Sequence, residues 1–403
     1  MGEGARRADE GSLVATRMEP NLTFAITRLT LSDFRNYHSL RITPSCPLIA
    51  LTGQNGAGKT NVLEAVSLLV PGRGLRGSAF NVIARLGGTD SWAVAAEITT
   101  PEDDLKIGTS YVGDPLSEDG GTSGRNAMIN GELQRSPGTL SNYLKMLWLT
   151  PAMDRLFAGP ASDRRRFFDR LVISFDSHHG SRVSAFEKLM RERNFLLADP
   201  RCDYTWLSAI EAQMAEQAIA IAAARNEAAT VLAKHFAGHA ETSPFPWGIL
   251  QLLGETEALV SAKPAVQAEA EYAMILKEQR AIDRAQGRTL KGPHRTDFSV
   301  LHGPKSQSAE LCSTGEQKAL LIGLILAQAR AVKELVGAAP VLLLDEVAAH
   351  LDVHRRRGLF EALTALGVQA WMTGTDANLF SEAGKASVLY NVEHGTILEV
   401  KTQ

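Results

Sequence analysis

The sequence is poor in cysteine, and neither sign of charge dominates it. Its three cysteines, Cys46, Cys202 and Cys312, stand far apart without paired spacing, so neither a disulfide framework nor a zinc site is expected. Apolar runs such as residues 338–344 are far shorter than the roughly 18 residues that a membrane-spanning helix needs. With 42 basic and 45 acidic residues the net charge is −3, which argues against a uniformly basic nucleic-acid binder. Any nucleic-acid contact therefore requires a local basic patch or a ligand-dependent switch.

The length and the amino terminus limit the domain organisation. A chain of 403 residues with 44% apolar side chains can form two or three packed regions. The first 20 residues mix basic and acidic side chains, unlike a secretory signal or an acid-poor transit peptide. We expect residues 1–21 to be a disordered tail, with Met18 as a possible start of translation, and we expect a cytoplasmic protein.

Apolar patterns predict an α/β body that is interrupted by a helical insertion. Strands are predicted at residues 24–42 (two, around a turn at 33–36), 48–52, 92–99, 105–112, 127–133 (with a turn at Asn130-Gly131), 298–301, 341–344, 369–373 and 387–390. Helical patterns cover residues 60–70, 161–236, 269–285 and 319–335. We therefore expect a body formed by residues 22–160 and 287–403, with a helical lobe at 161–286. One amphipathic helix of this lobe is predicted from the spacing of Trp206, Ile210, Met214, Ile221 and Leu232.

Residues 53–60 match the phosphate-loop pattern G-x-x-x-x-G-K-[ST], between a predicted strand and a predicted helix. They are Gly53, Gln54, Asn55, Gly56, Ala57, Gly58, Lys59 and Thr60. Glycines let backbone N–H groups turn toward phosphates, and the helix N-terminus adds a positive dipole end. Lys59 is expected to reach the β and γ phosphates of ATP, and the Thr60 hydroxyl to bind Mg²⁺. The alternative is a glycine-rich turn with a chance lysine, and the flanking strand and helix argue against it.

A second glycine pattern, at residues 72–77, matches the G-x-G-x-x-G of dinucleotide-binding folds. It follows a helix and Pro71 rather than a strand, so the context that this motif requires is missing. Arg73 and Arg76 are better interpreted as surface cations near the nucleotide or DNA.

The apolar strand at 341–344 ends in two neighbouring carboxylates, Asp345 and Glu346. In a phosphate-loop ATPase the first acid holds Mg²⁺, and a second acid can orient or deprotonate the attacking water. A polar strand terminus is the simpler alternative. Given the phosphate loop, we expect both acids to be catalytic together with Lys59. Asp352 stands where such ATPases carry a further acid that contacts a second subunit.

Residues 313–318 precede a strongly apolar helix and allow two compatible interpretations. Ser313 and Glu316 have the spacing of a capping box. The same helix N-terminus, with Ser313 and Gly315, can present an anion site to the γ phosphate of a nucleotide held by a second copy.

Lys59 and Asp345 are 286 residues apart (345 − 59), which a helical insertion that splits the fold explains.

These motifs resemble the RecF family, in the SMC-like branch of ABC ATPases, over nearly the whole chain from about Leu22. The resemblance rests on residues 29–37 (Leu-Thr-Leu-Ser-Asp-Phe-Arg-Asn-Tyr), the loop 53–60 continuing Asn-Val-Leu-Glu-Ala, the sequence Gly292-Pro293-His294-Arg295, the turn 313–318 and the strand end 343–346. It implies an ABC-type P-loop ATPase head, a mixed sheet with flanking helices, with an inserted α-helical lobe.

The resemblance also implies what the chain does. It implies ATP and Mg²⁺ as cofactors, a weak DNA-stimulated ATPase that acts as a switch, and an ATP-dependent homodimer at gapped or single-strand–duplex DNA. It further implies work with RecR- and RecO-type mediators to load RecA, in DNA replication, DNA repair and the SOS response. A sensor role would fall on Thr373 or Thr375, while no glutamine is assigned to the Q-loop.

Arginine clusters are the candidates for DNA contact. They are Arg155, Arg164, Arg165, Arg166 and Arg170, then Arg182, Arg191 and Arg193, and separately Arg355, Arg356 and Arg357. The alternative is a solvated helix face partnered by Asp163 and Asp169, and the sequence alone does not decide between the two.

Three other functions fit the ATPase motifs. A transporter-type ABC ATPase subunit should show a smaller insertion and a histidine switch, and neither is found. An SMC-like DNA tether needs hundreds of residues of heptads, far more than the predicted lobe contains. A nucleotide-gated DNA clamp, in which hydrolysis only resets the protein, stays open.

Overall fold

A computed structural model describes residues 23–113, 124–238 and 243–400. The predicted tail at residues 1–21, with Met18, lies outside these described residues. The strands are β1 (Ala25–Phe34), β2 (Tyr37–Ile42), β3 (Leu48–Thr52), β4 (Trp92–Thr99), β5 (Asp104–Tyr111), β6 (Asn126–Ile129), β7 (Glu132–Leu133), β8 (Met146–Leu149), β9 (Gly248–Leu253), β10 (Asp297–His302), β11 (Gln307–Ser308), β12 (Val341–Leu344), β13 (Ala370–Gly374), β14 (Ser387–Glu393) and β15 (Thr396–Val400).

The helices are α1 (Lys59–Ser67), α2 (Ala161–Ile173), α3 (His179–Ala198), α4 (Tyr204–Ala237), α5 (Glu255–Ala262), α6 (Ala265–Gln286), α7 (Thr314–Val336) and α8 (Val353–Leu366). None of the helices in the described ranges is long and apolar enough to cross a lipid bilayer. The predicted α/β architecture is confirmed, because the structure combines two six-stranded sheets with packed helices.

The central sheet places several strand ends at one edge. Its order is β15-β14-β3-β13-β12-β8, and all strands from β14 to β8 run parallel. Successive residues of a strand face opposite sides of its sheet. Ile49 and Leu51 of β3 therefore pack toward α1, while Leu48 and Ala50 pack toward α2, α7 and α8. The sheet is thus buried on both faces, as parallel sheets are. Because β3, β13 and β12 run parallel, the residues that follow them lie at the same carboxyl edge of the sheet.

A second, antiparallel sheet covers the other side of α1. Its order is β2-β1-β4-β5-β6-β7, and the apolar face of β1 packs on the core that α1 shares with the central sheet. The hairpin turn predicted at Asn130-Gly131 is confirmed, since both residues have positive φ, 50° and 87°. The helix α1 is thus held between two sheets.

The lobe has its own apolar core, formed where α3, α4 and α6 meet. Ile210, Met214, Tyr272 and Leu276 belong to this core. The predicted apolar face of α4 is correct except at Trp206, which is 54% exposed; its neighbour Leu207 is the buried residue of this first turn. The helix continues past the lobe, and its Leu232 packs in the core of the central sheet.

The predicted helical insertion also contains a strand. The strand β9 pairs with β10 in a three-stranded sheet of order β11-β10-β9. The helix α2 follows the predicted boundary at residue 160, yet its Phe168 and Leu171 pack in the core of the central sheet. The domain boundaries stay predictions.

Candidate functional site

The phosphate loop connects β3 to α1 and depends on glycine at two crowded positions. Gly53 has φ 140°, and a Cβ atom there would lie 2.4 Å from the carbonyl oxygen of Val392. Gly58 has φ 114°, and a Cβ atom there would lie 2.5 Å from Asn36 Nδ2. Positive φ and close backbone approach both favour glycine. No described side chain caps the N-terminus of α1, so its first N–H groups are available to an anion.

Lys59 lies folded into the phosphate loop. It is 4% exposed, and its ammonium donates to the carbonyl oxygens of Gly53 at 2.6 Å and Gln54 at 2.8 Å. Burial lowers the pKa of Lys59, while the charges of Glu346 and Asp345 raise it. Gln54, Asn55 and Gly56 form the exposed rim of the same loop. The loop thus carries one cation, Lys59, whose charge interacts with those of Glu346 and Asp345.

Asp345 joins three segments of the chain at the carboxyl edge of the central sheet. Its Oδ1 accepts from the Thr60 hydroxyl at 2.9 Å, although the two residues are 285 positions apart. The same oxygen accepts from the Thr373 hydroxyl at 2.7 Å. Thr373 lies in β13, between the strands that carry the loop and the acid. Carboxylate and hydroxyl oxygens are the ligands that Mg²⁺ prefers.

Glu346 has an unusual backbone that Thr373 holds in place. Its φ is 53°, in the left-handed region that non-glycine residues rarely adopt. Its N–H donates to the Thr373 hydroxyl at 2.9 Å. Thr373 therefore bonds to both neighbouring acids, and of the two sensor candidates it is the one the structure brings to Asp345. Sequence reasoning left this choice open, because only the order of the strands decides it.

A support for the loop comes from residues 33–37, whose contacts the sequence did not reveal. Tyr37 Oη donates to the carbonyl oxygen of Gly58 at 3.1 Å, and Asn36 Nδ2 donates to that of Ala57 at 3.1 Å. Arg35 forms a bidentate pair with the buried Glu64 of α1, at 2.9 and 2.7 Å. These contacts fix both the loop and α1 from behind.

Ser313, Gly315 and Asp352 are exposed helix-terminal residues. The capping box at Ser313 is confirmed: Glu316 accepts from the Ser313 N–H at 3.1 Å. Ser313 and Gly315 are exposed, and in the part of the chain that the structure describes neither bonds to residues 53–60. Asp352 caps α8 by accepting from the N–H of Arg355 at 2.8 Å, and this bond lowers its pKa.

The arginine clusters separate into structural and free residues. Arg193 is fully buried between Glu211 and Asp283, at 3.0 and 2.7 Å. Arg164 pairs with Asp297 at 2.7 Å, and Arg356 pairs with Glu382 at 3.4 Å. Arg166 pairs with Asp163 and Arg182 with Asp176. Arg155, Arg191 and Arg357 are exposed and form no ion pair with another described residue. The alternative of a paired helix face is thus correct for several of them.

The sequence Gly292-Pro293-His294-Arg295 lies in contact with α2, α4 and α5. Arg225 of α4 donates to the carbonyl oxygen of Pro293 at 2.8 Å and pairs with Asp169 of α2 and Glu257 of α5, at 2.8 and 2.9 Å. The His294 ring stacks on Phe186, and burial lowers the pKa of His294 to about 4. Arg225 therefore links this motif to α2 and α5 as well as to its own helix, α4.

Comparisons with known proteins identify the family of this chain. Residues 25–398 match the family model described as RecF/RecN/SMC N terminal domain. The protein named DNA replication and repair protein RecF from Mesorhizobium japonicum is 50% identical over 372 residues, 92% of this chain and 97% of that protein. Its counterpart from Rhizobium rhizogenes is also 50% identical, over 92% of this chain and 98% of that protein.

Solved structures show the same fold. The recombination mediator protein RecF-ATPrS in the RecFOR pathway superposes with a TM-score of 0.82 at 21% identity, covering 94% of this chain and 99% of that chain. The Smc head domain of Pyrococcus furiosus gives a TM-score of 0.51 at 16% identity, covering 94% of this chain and 96% of that chain. The fold, the phosphate loop facing an acidic strand end, and relatives matched along almost their whole length place this chain in the RecF family of SMC-like ABC ATPases.

Proposed function

We propose that the chain is an ATP-dependent DNA-binding protein of recombinational repair with slow hydrolysis that acts as a switch. Lys59 and the N–H groups of residues 53–60 bind the phosphates of ATP, and Thr60 with Asp345 binds Mg²⁺. Glu346 orients the attacking water and accepts its proton. The names of the relatives, DNA replication and repair protein RecF, support this proposal.

The observation that carries the proposal is the hydrogen bond from Thr60 to Asp345, at 2.9 Å. It brings the helix of the phosphate loop to the acidic strand end. Two hard oxygen atoms thus lie beside a loop whose helix N-terminus has no described side-chain cap. The donor set fits a nucleotide with its magnesium ion, which supplies charge stabilisation to the phosphates when bound.

The exposed positions of Ser313, Gly315 and Asp352 support a proposal of dimerisation. Ser313 and Gly315 are exposed at the N-terminus of a 23-residue helix, and neither bonds to the loop of its own chain among the described residues. We propose that this end and Asp352 face the nucleotide of a second copy. Such a composite site makes ATP the link between two heads, so the dimer depends on ATP and loosens after hydrolysis.

The family of the chain supports a proposal about its partners. We propose that the ATP-bound dimer binds gapped or single-strand–duplex DNA in the cytoplasm, that DNA stimulates its weak ATPase, and that RecR- and RecO-type mediators act with it to load RecA.

The lobe is too short for an SMC-like tether: its longest helix, α4, has 34 residues, about 50 Å at 1.5 Å per residue.

The test is sedimentation of the Glu346→Gln variant with ATP and Mg²⁺, with and without gapped DNA. An amide cannot take the proton from water, so this variant should bind ATP, remain dimeric and turn over far more slowly than the parent. Glu132→Gln, at an exposed acid of β7, is the matched control and should behave as the parent. A parent that stays monomeric with ATP and gapped DNA contradicts the proposal.

A further inference from the structure

Two adjoining cavities lie between the loop at residues 72–77 and α2. Their volumes are about 480 and 470 Å³, and they share Arg166 and Arg170 as walls. We call them together the basic groove. The cations that line it are Arg73, Arg76, Lys145, Arg155, Arg166 and Arg170.

The basic groove has more positive charge than its own acids neutralise. Asp163 pairs with Arg166, and Asp169 is bonded to Arg225 and His179 instead of to a groove cation. Arg76 pairs with Glu64 at 2.9 Å. The four remaining cations are Arg73, Lys145, Arg155 and Arg170, and none of them forms an ion pair with a residue that the structure describes. This excess stands out in a chain whose net charge is −3.

Two of these unpaired cations, Lys145 and Arg170, are also partly buried. The Arg170 guanidinium lies over the Trp148 ring, 4.8 Å from its centroid, and burial lowers the pKa of Arg170 to about 10. Burial also lowers the pKa of Lys145, whose Nζ donates to the carbonyl oxygen of Ser141 at 2.8 Å. The Arg170 guanidinium stays charged at neutral pH. A desolvated cation without a carboxylate partner is stabilised by an external anion.

The shape and lining of the groove favour one kind of polyanion. Single-strand binders stack bases on exposed aromatic rings. Trp148 and Phe167 are only 6% and 2% exposed, beneath Arg170, so they offer no such platform. Cations without stacking faces suit a phosphate backbone. We propose that the basic groove binds the phosphate backbone of duplex DNA, an inference that rests on the proposed function and assigns it a surface.

The test is the double variant Arg73→Gln/Arg155→Gln. Both side chains are exposed and lie outside the phosphate loop and the acidic strand end, so ATP binding and folding should be retained. Affinity for a fluorescent duplex is measured by anisotropy over a range of salt concentrations, with ATP and Mg²⁺. The slope of log affinity against log salt should become shallower by about 1.8, roughly 0.9 for each phosphate that the variant no longer neutralises.

The matched control is Arg41→Gln/Arg288→Gln, which removes the same charge from exposed positions on β2 and just after α6. Its slope should equal that of the parent. If the groove variant keeps the parental slope, or the control loses as much, the groove assignment is wrong while DNA binding itself stands. If only single-stranded DNA binding falls, the choice of duplex is overturned. A parent that binds no DNA refutes the proposed function, and this inference fails with it.

Discussion

Replacing Thr373 by valine tests whether one buried hydroxyl sets the geometry of both acids. The hydroxyl donates to Asp345 Oδ1 at 2.7 Å and accepts from the Glu346 N–H at 2.9 Å. Valine has nearly the same shape and no hydroxyl, so the substitution removes both hydrogen bonds together. Because Thr373 is 1% exposed, water does not replace them.

The magnitude follows from these two bonds. A hydrogen bond to a charged acceptor contributes about 1.5–3 kcal/mol, and an unsatisfied buried N–H costs about 1–3 kcal/mol. The gain from one added buried methyl offsets part of this loss, and we expect the free energy of unfolding to fall by about 2–4 kcal/mol. Glu346 would also lose the bond that holds its left-handed backbone, and displacement of such a group by about 1 Å can slow a reaction roughly 100-fold.

The assay combines single-turnover ATP hydrolysis with urea unfolding. Thr373→Ser keeps the hydroxyl and should retain most of the hydrolysis rate. Thr52→Val is the matched control on the neighbouring strand β3, because the Thr52 hydroxyl is also buried but donates only to the carbonyl oxygen of Tyr390, at 3.2 Å. It should cost about 1 kcal/mol of stability and leave hydrolysis unchanged. A Thr373→Val protein that hydrolyses ATP at the parental rate would refute the role given to Thr373.

Three further variants test the site and its connection to the lobe. Lys59→Met removes the cation of the phosphate loop, so a folded variant should lose tight ATP binding by calorimetry; unchanged affinity would mean that the loop is not the phosphate site. Ser313→Arg places a bulky cation at the exposed end of α7, and we expect ATP binding without dimerisation at a stability cost of about 1 kcal/mol. A normal dimer in sedimentation would leave Ser313 as a helix cap only. Arg225→Met leaves Asp169 and Glu257 without their shared cation, so unfolding free energy should fall by about 3–5 kcal/mol, whereas Arg225→Lys should lose less. Equal losses would show that charge pairing does not stabilise this junction.

Most elements of the fold could be predicted from short stretches of consecutive residues. The strand–loop–helix at residues 48–67 and the acidic end of β12 are recognised from neighbouring residues alone, because a glycine loop or a strand end depends on local backbone preferences. The strand β8 was missed because its four apolar residues, Met146–Leu149, carry no alternation and no clear turn signal. The strand β9 was missed because it lies between helical patterns and is stabilised by pairing with β10, far along the chain.

The functional geometry depended on contacts between distant residues. The sequence by itself determined which residues belong to the phosphate loop, which acids end a buried strand and that Ser313 begins a helix, since each of these depends on a few consecutive residues. Only the tertiary structure decided that Thr373 bonds to Asp345 and Glu346, that Arg193 is a buried structural cation, and that Arg73 shares a groove with α2. The physical reason is that a side chain's charge acts on whatever the fold places within a few ångströms of it. For Arg193 those partners are 18 and 90 positions away, and no local pattern specifies them.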